Sequence, residues 1–458
     1  MAWRILPDRP IESIADYASF GGGRALHRSR ELSSEQVIAE LTRAGLRGRG
    51  GAGFPTGAKW RSILRGGGQH HYAVCNAGEG EPGTFKDRAL IRSNPYQVIE
   101  GLVIAARTVD AHEAFVGVKE SFRVEVERLT EAISDFEEAG WLDGLGITVV
   151  PGPEEYLLGE EKAMLEVIEG NDPLPRWLPP YLHGLFATAP QLGWEAHEAE
   201  PGHEGAHTSN PTLVNNAETL AQAAWILSHG ADEFRELGTE QSPGTLVCTM
   251  VGDVVHPDVL EVEMGTPLQN AVDRAGGALP GRKIKAVVPG AANGVLTGDD
   301  LGTPLTYEHM QAVGSGLGAA GFIVYDDSAC MVEVATTLSN FLYVESCGQC
   351  LPCKLGTGYI TRALIRIRDG SGSEDELDEI DQRLRIVADA NRCYLPVQEQ
   401  NLISSIVRLF PDDFAAHLAG ACPAGNRKIP PPKVVNLADG VVTYDQRQER
   451  KRPDWTYG

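Results

Sequence analysis

Basic residues are scarce in this 458-residue chain: 40 Lys and Arg face 63 Asp and Glu, for a formal charge of −23. Phosphate backbones need a basic face, so nucleic acid is excluded as a main partner. Long apolar runs are missing too. A stretch such as VIEGLVIAA, from Val98 to Ala106, is broken by Glu100 and falls well short of the ~20 residues that cross a bilayer. The opening MAWRILPDRP lacks the apolar segment of a secretory signal. Eight cysteines in the whole chain are too few for a disulfide scaffold. These absences lead us to expect a cytoplasmic protein with no direct membrane insertion, either free or held at the inner face of the membrane through partners. No internal repeat is visible, and the length suits several domains.

Half of the few cysteines are grouped. Cys347, Cys350 and Cys353 fall in ESCGQCLPCKLGTG, and Cys393 in ANRCYLP. A [4Fe-4S] cubane takes one thiolate per iron, so one tight turn plus one remote residue can cap its four corners. Structural zinc is the plainer alternative. Zinc sites usually pair two C-x-x-C units, or one with histidines, across a short finger. Three cysteines crowded on one turn, with Gly348 and Pro352 among them, favour the cluster. Cys75, Cys248, Cys330 and Cys422 read as core or loop thiols. The twelve histidines show no ligand spacing, and His183, His197, His203 and His207 read as loop residues.

Glycine is abundant, with 52 residues, and its placement carries the second signal. In GLRGRGGAGFPTGAKW, Gly45 to Trp60, we expect a glycine-rich loop. Gly48, Gly50, Gly51, Gly53 and Gly57 let backbone N–H groups approach an anion or a planar ring without Cβ clashes. Arg47, Arg49 and Lys59 add charge. The spacing matches neither the Rossmann nor the Walker A pattern. An ordinary flexible loop and a phosphate or nucleotide site therefore both remain open.

The flanking pattern alternates. SSEQVIAELTRAGL predicts a capped amphipathic helix. HHYAVCNAG, AHEAFVGVK and ITVVPGP predict strands. NPYQVIEGLVIAARTV and VEVERLTEAISDFEEAGWL predict helices. Such alternation predicts a parallel α/β layer. GTLVCTMVGDV and LEVEMG read as a hairpin. TPLQNAVDRAGG reads as a short helix, with KIKAVVPG and GFIVYDD as strands of a compact α+β module. From Met331 the pattern is helical, and residues 426–458 read as a polar surface tail. Three stretches offer polar groups near strand or helix ends: NAGEGEPGTFKDR with Glu79 and Glu81, GEEKAMLE with Glu160 and Glu161, and PTLVNNAETL with Asn215, Asn216 and Glu218. Taken singly, the glutamates read as caps or solvated charge.

Five motifs in order, GRGGAGFPTG, NAGEGEPGTFKDR, GEEKAMLE, PTLVNNAETL and ESCGQCLPC, closely resemble the flavin-bearing F subunit of respiratory complex I. Its relatives occur in NAD-linked hydrogenases and formate dehydrogenases. The resemblance runs from about Leu41 to about Leu418. It implies a Rossmann-like FMN and dinucleotide domain at 41–240, after a leader and helix at 1–40. A small ubiquitin-like (SLBB) module would follow at 241–328, a helical [4Fe-4S] domain at 329–425 and the tail at 426–458. By motif position, Gly48, Gly50, Gly51 and Gly53 would wrap the flavin, with Lys59 near it. Asn76, Asn215 and Asn216 would hold its ribityl phosphate and ring. Phe54 would stack on the adenine of NADH. Glu79, Gly159 and Glu160 would line the site, and Glu81 and Glu161 would contact the nicotinamide end and ribose. Cys347, Cys350, Cys353 and Cys393 would ligate the cluster. The implied activity takes a hydride from NAD(P)H onto FMN and passes electrons singly to a partner.

The chain departs from the family pattern at several points. Gly78 replaces an aspartate, Ser62 a bulky residue and Lys162 a threonine. LFATAPQLGWEAHEAEPGHEGAHTSN, between Pro180 and Pro211, is longer than usual. The departures crowd the dinucleotide side. They leave NADPH, or a ferredoxin-like carrier in place of a nicotinamide, as alternatives. No [2Fe-2S] domain precedes the glycine loop, so a second iron–sulfur subunit, [2Fe-2S]-bearing, is implied in a hetero-oligomeric complex.

Overall fold

The computed structural model describes residues 4–67, 70–189, 208–425 and 427–457. Most of the long stretch between Pro180 and Pro211 lies outside the described residues, as do His197, His203 and His207. The chain divides into two compact units. One holds residues up to Glu79 and Asp87–Thr245. The other holds Gly80–Lys86 and the chain from Leu246 onward.

The first unit opens with three helices: α1 (Ile14–Ser19), α2 (Arg24–Glu31) and α3 (Ser34–Ala44). Ser33 caps α3 through a capping box with Gln36. The expected glycine loop is shorter than Gly45–Trp60, because α4 (Thr56–Leu64) begins directly after Pro55. Proline with its fixed φ suits a helix start. Next come β1 (His71–Ala77), α5 (Lys86–Ser93), α6 (Pro95–Thr108), β2 (Ala111–Lys119), α7 (Arg123–Glu138), β3 (Gly146–Gly152) and α8 (Glu161–Ile168). The unit closes with β4 (Thr212–Asn216), α9 (Ala217–His229) and α10 (Ala231–Phe234).

The four strands form one parallel sheet in the order β3-β2-β1-β4. The alternation of strand and helix thus yields the parallel layer expected from it. Helices α6 and α9 pack on the sheet and on each other. Gly101 permits their close crossing, since a Cβ there would lie 2.1 Å from the Leu220 carbonyl oxygen. Tyr72 and Val74, on one face of β1, pack instead with Leu158, Met164 and Leu165. Both faces are therefore covered, as parallel sheets require. The buried Glu100 of α6 takes bonds from Tyr17 and from the Gly23 and Leu26 amides, which pins α1 and α2.

The second unit holds a mixed sheet of order β6-β5-β9-β7-β8. Its strands are β5 (Thr245–Gly252), β6 (Asp258–Glu263), β7 (Ile284–Pro289), β8 (Leu296–Thr297) and β9 (Gly321–Asp326). β5 runs parallel to β9, while β7 runs antiparallel to β8 and β9. With α11 (Leu268–Arg274) and α12 (Tyr307–Ala312), it encloses a continuous apolar core.

Five helices follow: α13 (Met331–Glu345), α14 (Leu351–Arg368), α15 (Glu374–Ile386), α16 (Leu395–Leu409) and α17 (Pro411–Leu418). The last segment differs from the expected polar tail. It forms an antiparallel hairpin, β10 (Val434–Ala438) and β11 (Val441–Tyr444). It then buries Lys451 against Glu345 at 2.8 Å, both side chains fully enclosed. Gln448 adds a second bond to Glu345, and the Trp455 indole donates to its carbonyl. A polar sequence concealed this, because the buried partner is itself charged.

Candidate functional site: a glycine cradle and a cysteine quartet

In the first unit, β1 leads by way of β2 to β3 on one side, while β4 lies on the other. The crevice at the carboxyl ends of β1 and β4 is therefore a topological switch point, where open α/β sheets bind ligands. Asn76 and Asn216 face each other there as register partners, and Cys75 pairs with Asn215 just below. The glycine loop closes over this edge. Gly48 N donates to the Phe54 carbonyl at 2.9 Å, and Arg47 Nε to the Gly53 carbonyl at 2.8 Å. Gly51 (φ 123°) and Gly53 (φ 61°) take backbone angles that side chains rarely adopt. Gly50 lies against Asn216, so an added Cβ would sit 3.0 Å from the Asn216 Cβ. The result is a cradle of bare backbone whose lip, Phe54, is 56% exposed.

Arg49 differs from its expected part in this charge. It is buried; its amide donates to Thr219 Oγ1, and its guanidinium donates to the Pro243 carbonyl and approaches Glu218 at 4.0 Å. It pins the loop to the start of α9 instead of facing a ligand. Lys59, on α4, meets Glu161 at the start of α8 at 2.7 Å.

The other predicted polar residues each carry a structural bond. The Asn76 amide donates to the Gly159 carbonyl at 2.8 Å, and its oxygen accepts from Gly78 N. Gly78 and Gly159 approach so closely that a Cβ on Gly159 would lie 2.9 Å from the Gly78 carbonyl oxygen. A Cβ on Gly78 would lie 3.1 Å from the Met164 methyl and 3.3 Å from Leu158 Cγ, a tight contact that those side chains would have to ease. Asn215 accepts from the Trp60 indole at 2.7 Å. Asn216 caps α9 and donates to Asp87 at 2.7 Å. Glu160 caps α8, accepting from the Lys162 and Ala163 amides, and burial pushes its carboxyl up to about 7. Glu79 forms a buried pair with Arg88 at 2.8 Å. Glu81 belongs to the second unit, where it accepts from the Ala291 amide at 2.6 Å and from Gln398. Ser62 only closes its own helical turn onto the Lys59 carbonyl.

In the second unit, Cys347 and Cys350 sit in the turn between α13 and α14, Cys353 on the first turn of α14, and Cys393 in the turn before α16. Gly348 supplies the positive φ (84°) that tightens the turn. The four sulfurs converge electrostatically: burial first, then Cys393, Cys347 and Cys350, push the Cys353 thiol well above its ordinary range. The N-terminus of α14 faces this group, favouring anionic ligands. Tetrahedral zinc with bonds of ~2.3 Å would hold its thiolates within about 4 Å of one another. Among the described residues, only Cys330, His417 and Cys422 bring three such ligand atoms within 4.8 Å of one another. The quartet is not among such groups. Lys354 reinforces the turn by donating to the Ser346 and Pro453 carbonyls, both at 2.6 Å. Apolar side chains stand exposed beside the ligands: Leu351 at 69%, Leu355 at 65% and Tyr394 at 54%.

Sequence reading missed the grouping of Cys330, His417 and Cys422. It treated the two cysteines as unconnected thiols and gave no histidine a partner. His417 and Cys422 lie five residues apart, a local signal, but Cys330 lies 87 positions before His417 and shares no motif with them. His183, read as a loop residue, lies outside any helix or strand and is buried. Cys75 and Cys248 are core thiols, as expected.

Comparison with known proteins bears on both halves. Residues 41–225 match the family model described as the Nuo51 FMN-binding domain. Residues 333–417 match the NADH-ubiquinone oxidoreductase-F iron-sulfur binding region. An NADH-quinone oxidoreductase F subunit of Rhizobium meliloti is 36% identical over 419 residues, covering 88% of this chain and 94% of that one. The HndC subunit of an NADP-reducing hydrogenase, from Solidesulfovibrio fructosivorans, is 34% identical, covering 90% and 82%. The crystal structure of an NAD+-reducing [NiFe]-hydrogenase in its H2-reduced state superposes with a TM-score of 0.75 at 29% identity. It covers 91% of this chain, and this chain spans 66% of that one.

Proposed function

This chain belongs to the family of NADH-quinone oxidoreductase F subunits, and from that premise we propose that it takes a hydride from NADH onto FMN and releases the electrons singly, through a [4Fe-4S] cluster, to a partner iron–sulfur protein. The observation that carries this reading is the pairing, in one chain, of a glycine cradle at a sheet switch point with a quartet of mutually interacting cysteines. FMN, when bound, supplies the conversion of a two-electron donor into single electrons.

The chain's own residues position and enclose. Gly50, Gly51 and Gly53 would present backbone to the flavin, and Asn76, Asn215 and Asn216, at the strand ends, would help hold it. Phe54 offers an exposed ring for the adenine to stack on. Glu161, oriented by Lys59, receives the ribose hydroxyls. The Glu161 carboxylate opposes a 2′-phosphate. Lys162 lies 3.9 Å from Glu160 and is partly neutralised by it, which favours NADH over NADPH. No side chain is required as a proton donor, because hydride transfer needs stacking and dryness instead.

Cys347, Cys350, Cys353 and Cys393 would hold the cluster, which supplies the one-electron exit. Leu351, Leu355 and Tyr394 form an apolar margin around the ligand turns, suited to a partner that docks close enough to accept them. We take this partner to be a [2Fe-2S] protein.

The test is NADH-dependent reduction of a [2Fe-2S] ferredoxin by the reconstituted chain. Leu351→Asp should lower that rate at least tenfold while NADH still reduces the flavin at the wild-type rate. An unchanged ferredoxin rate would remove the exit surface from this account.

A further inference from the structure

Outside the redox site, Cys330 meets His417 and Cys422, from a later part of the sequence, beside a cavity of about 950 Å³. Cys330 immediately precedes α13, His417 lies in the last turn of α17, and Cys422 follows in the turn after it. Their ligand atoms all lie within 4.8 Å of one another. Cys330 Sγ is 3.1 Å from His417 Nε2. The other ring nitrogen, Nδ1, is 2.9 Å from the Arg368 carbonyl oxygen. A carbonyl can only accept, so Nδ1 carries a proton, and in the neutral ring Nε2 turns its lone pair toward the thiol. A backbone acceptor that fixes the tautomer in this way is the usual support behind a metal-bound histidine.

We propose that Cys330, His417 and Cys422 form a second metal site, for one zinc ion, independent of the cysteine quartet. Two thiolates and a neutral imidazole suit zinc in type and number. Binding displaces the two thiol protons, and the thiolate charges then balance the ion. Three protein donors leave a fourth tetrahedral position. All three donors line the cavity, so that position is reached from it, and Glu333 lines the same space one turn along α13. The ion ties the start of α13, which leads into the cysteine turn at its other end, to the end of α17. A buried thiol–imidazole hydrogen bond is the plainer reading of Cys330 and His417, but it gives Cys422 no part.

The test uses the full-length protein with its cluster reconstituted. It is washed with chelator, then equilibrated with zinc or, separately, with cobalt(II). Wild type should retain one zinc per chain. Cobalt should give tetrahedral d–d bands with thiolate charge transfer of an intensity expected for two sulfurs. Cys422→Ser and His417→Gln should lose the zinc yet keep the iron–sulfur spectrum and NADH-dependent flavin reduction. Cys350→Ser should lose the cluster and keep the zinc. The wild-type cobalt spectrum decides the matter even if a variant folds poorly. No zinc and no cobalt bands in wild type would overturn the proposal. So would zinc that follows Cys350 rather than Cys422, or a Cys330–Cys422 disulfide in the protein as isolated.

Discussion

The Lys59 ammonium of α4 lies 2.7 Å from the Glu161 carboxylate at the start of α8. Both side chains keep roughly a quarter to a third of their surface in water. A pair so exposed contributes at most about 1 kcal/mol to stability. Its use is orientation, since it holds a carboxylate at the edge of the glycine cradle. Glu161→Gln should therefore leave the melting temperature within a few degrees of wild type and FMN content unchanged. The KM for NADH should rise at least fivefold. Steady-state kinetics beside a thermal melt separates the two effects, and a large loss of stability with unchanged KM would contradict this role.

The cradle depends on backbone conformation. Gly51→Val would place a β-branched side chain at φ 123°, at a strain of about 1–3 kcal/mol, where the proposed function needs bare backbone against the flavin. Flavin retention after gel filtration should fall to near zero while the fold, by circular dichroism, persists. Normal flavin occupancy would remove Gly51 from the site.

Much of this arrangement was legible in the sequence, for identifiable reasons. Strands β1, β2 and β3 and helices α6 and α7 announce themselves by continuous apolar runs and regular periodicity. The cysteine turn and glycine loop are local motifs, readable without the fold. The parts that escaped depend on tertiary partners. Arg49 looked like a ligand-facing cation until Glu218 and Thr219 were seen beside it. The last residues looked like a surface tail because nothing in that segment shows that Lys451 finds a buried carboxylate 106 positions earlier.

The cysteine quartet should separate flavin chemistry from electron exit. Cys350→Ser should abolish the electron paramagnetic resonance signal of the reduced cluster and reduction of a [2Fe-2S] acceptor. Bleaching of the flavin by NADH should survive. Unchanged cluster content would show that the ligand set is wrong.

Breaking the Lys451–Glu345 pair should cost far more than breaking the exposed one. Lys451→Met leaves a fully buried carboxylate with a lost cation, a change worth about 3–5 kcal/mol. Glu345 stands two residues before Cys347, so cluster loss on dilution into chelator should also accelerate. Adding Glu345→Gln should recover part of the stability. A melt of Lys451→Met that matches wild type would contradict the clamp.

Burial pushes the Glu399 carboxyl of α16 up to about 8, against an opposing bond from the Ser339 hydroxyl at 2.6 Å. The ordinary value is 4.5, so the folded state holds this proton more tightly than the unfolded chain. The contribution to stability is complete below about pH 4.5 and is lost as pH rises through about 8. Glu399→Gln should flatten the fall in melting temperature between pH 5 and 8. Parallel profiles for the two proteins would exclude this carboxyl as the cause.

The most direct test of the central claim is an anaerobic titration of the reconstituted protein with NADH, then NADPH, following the visible flavin band. The account predicts bleaching at near-stoichiometric NADH and a much weaker response to NADPH. Failure of both nucleotides to bleach a flavin that dithionite still reduces would contradict it, and would mean that the cradle serves a different donor.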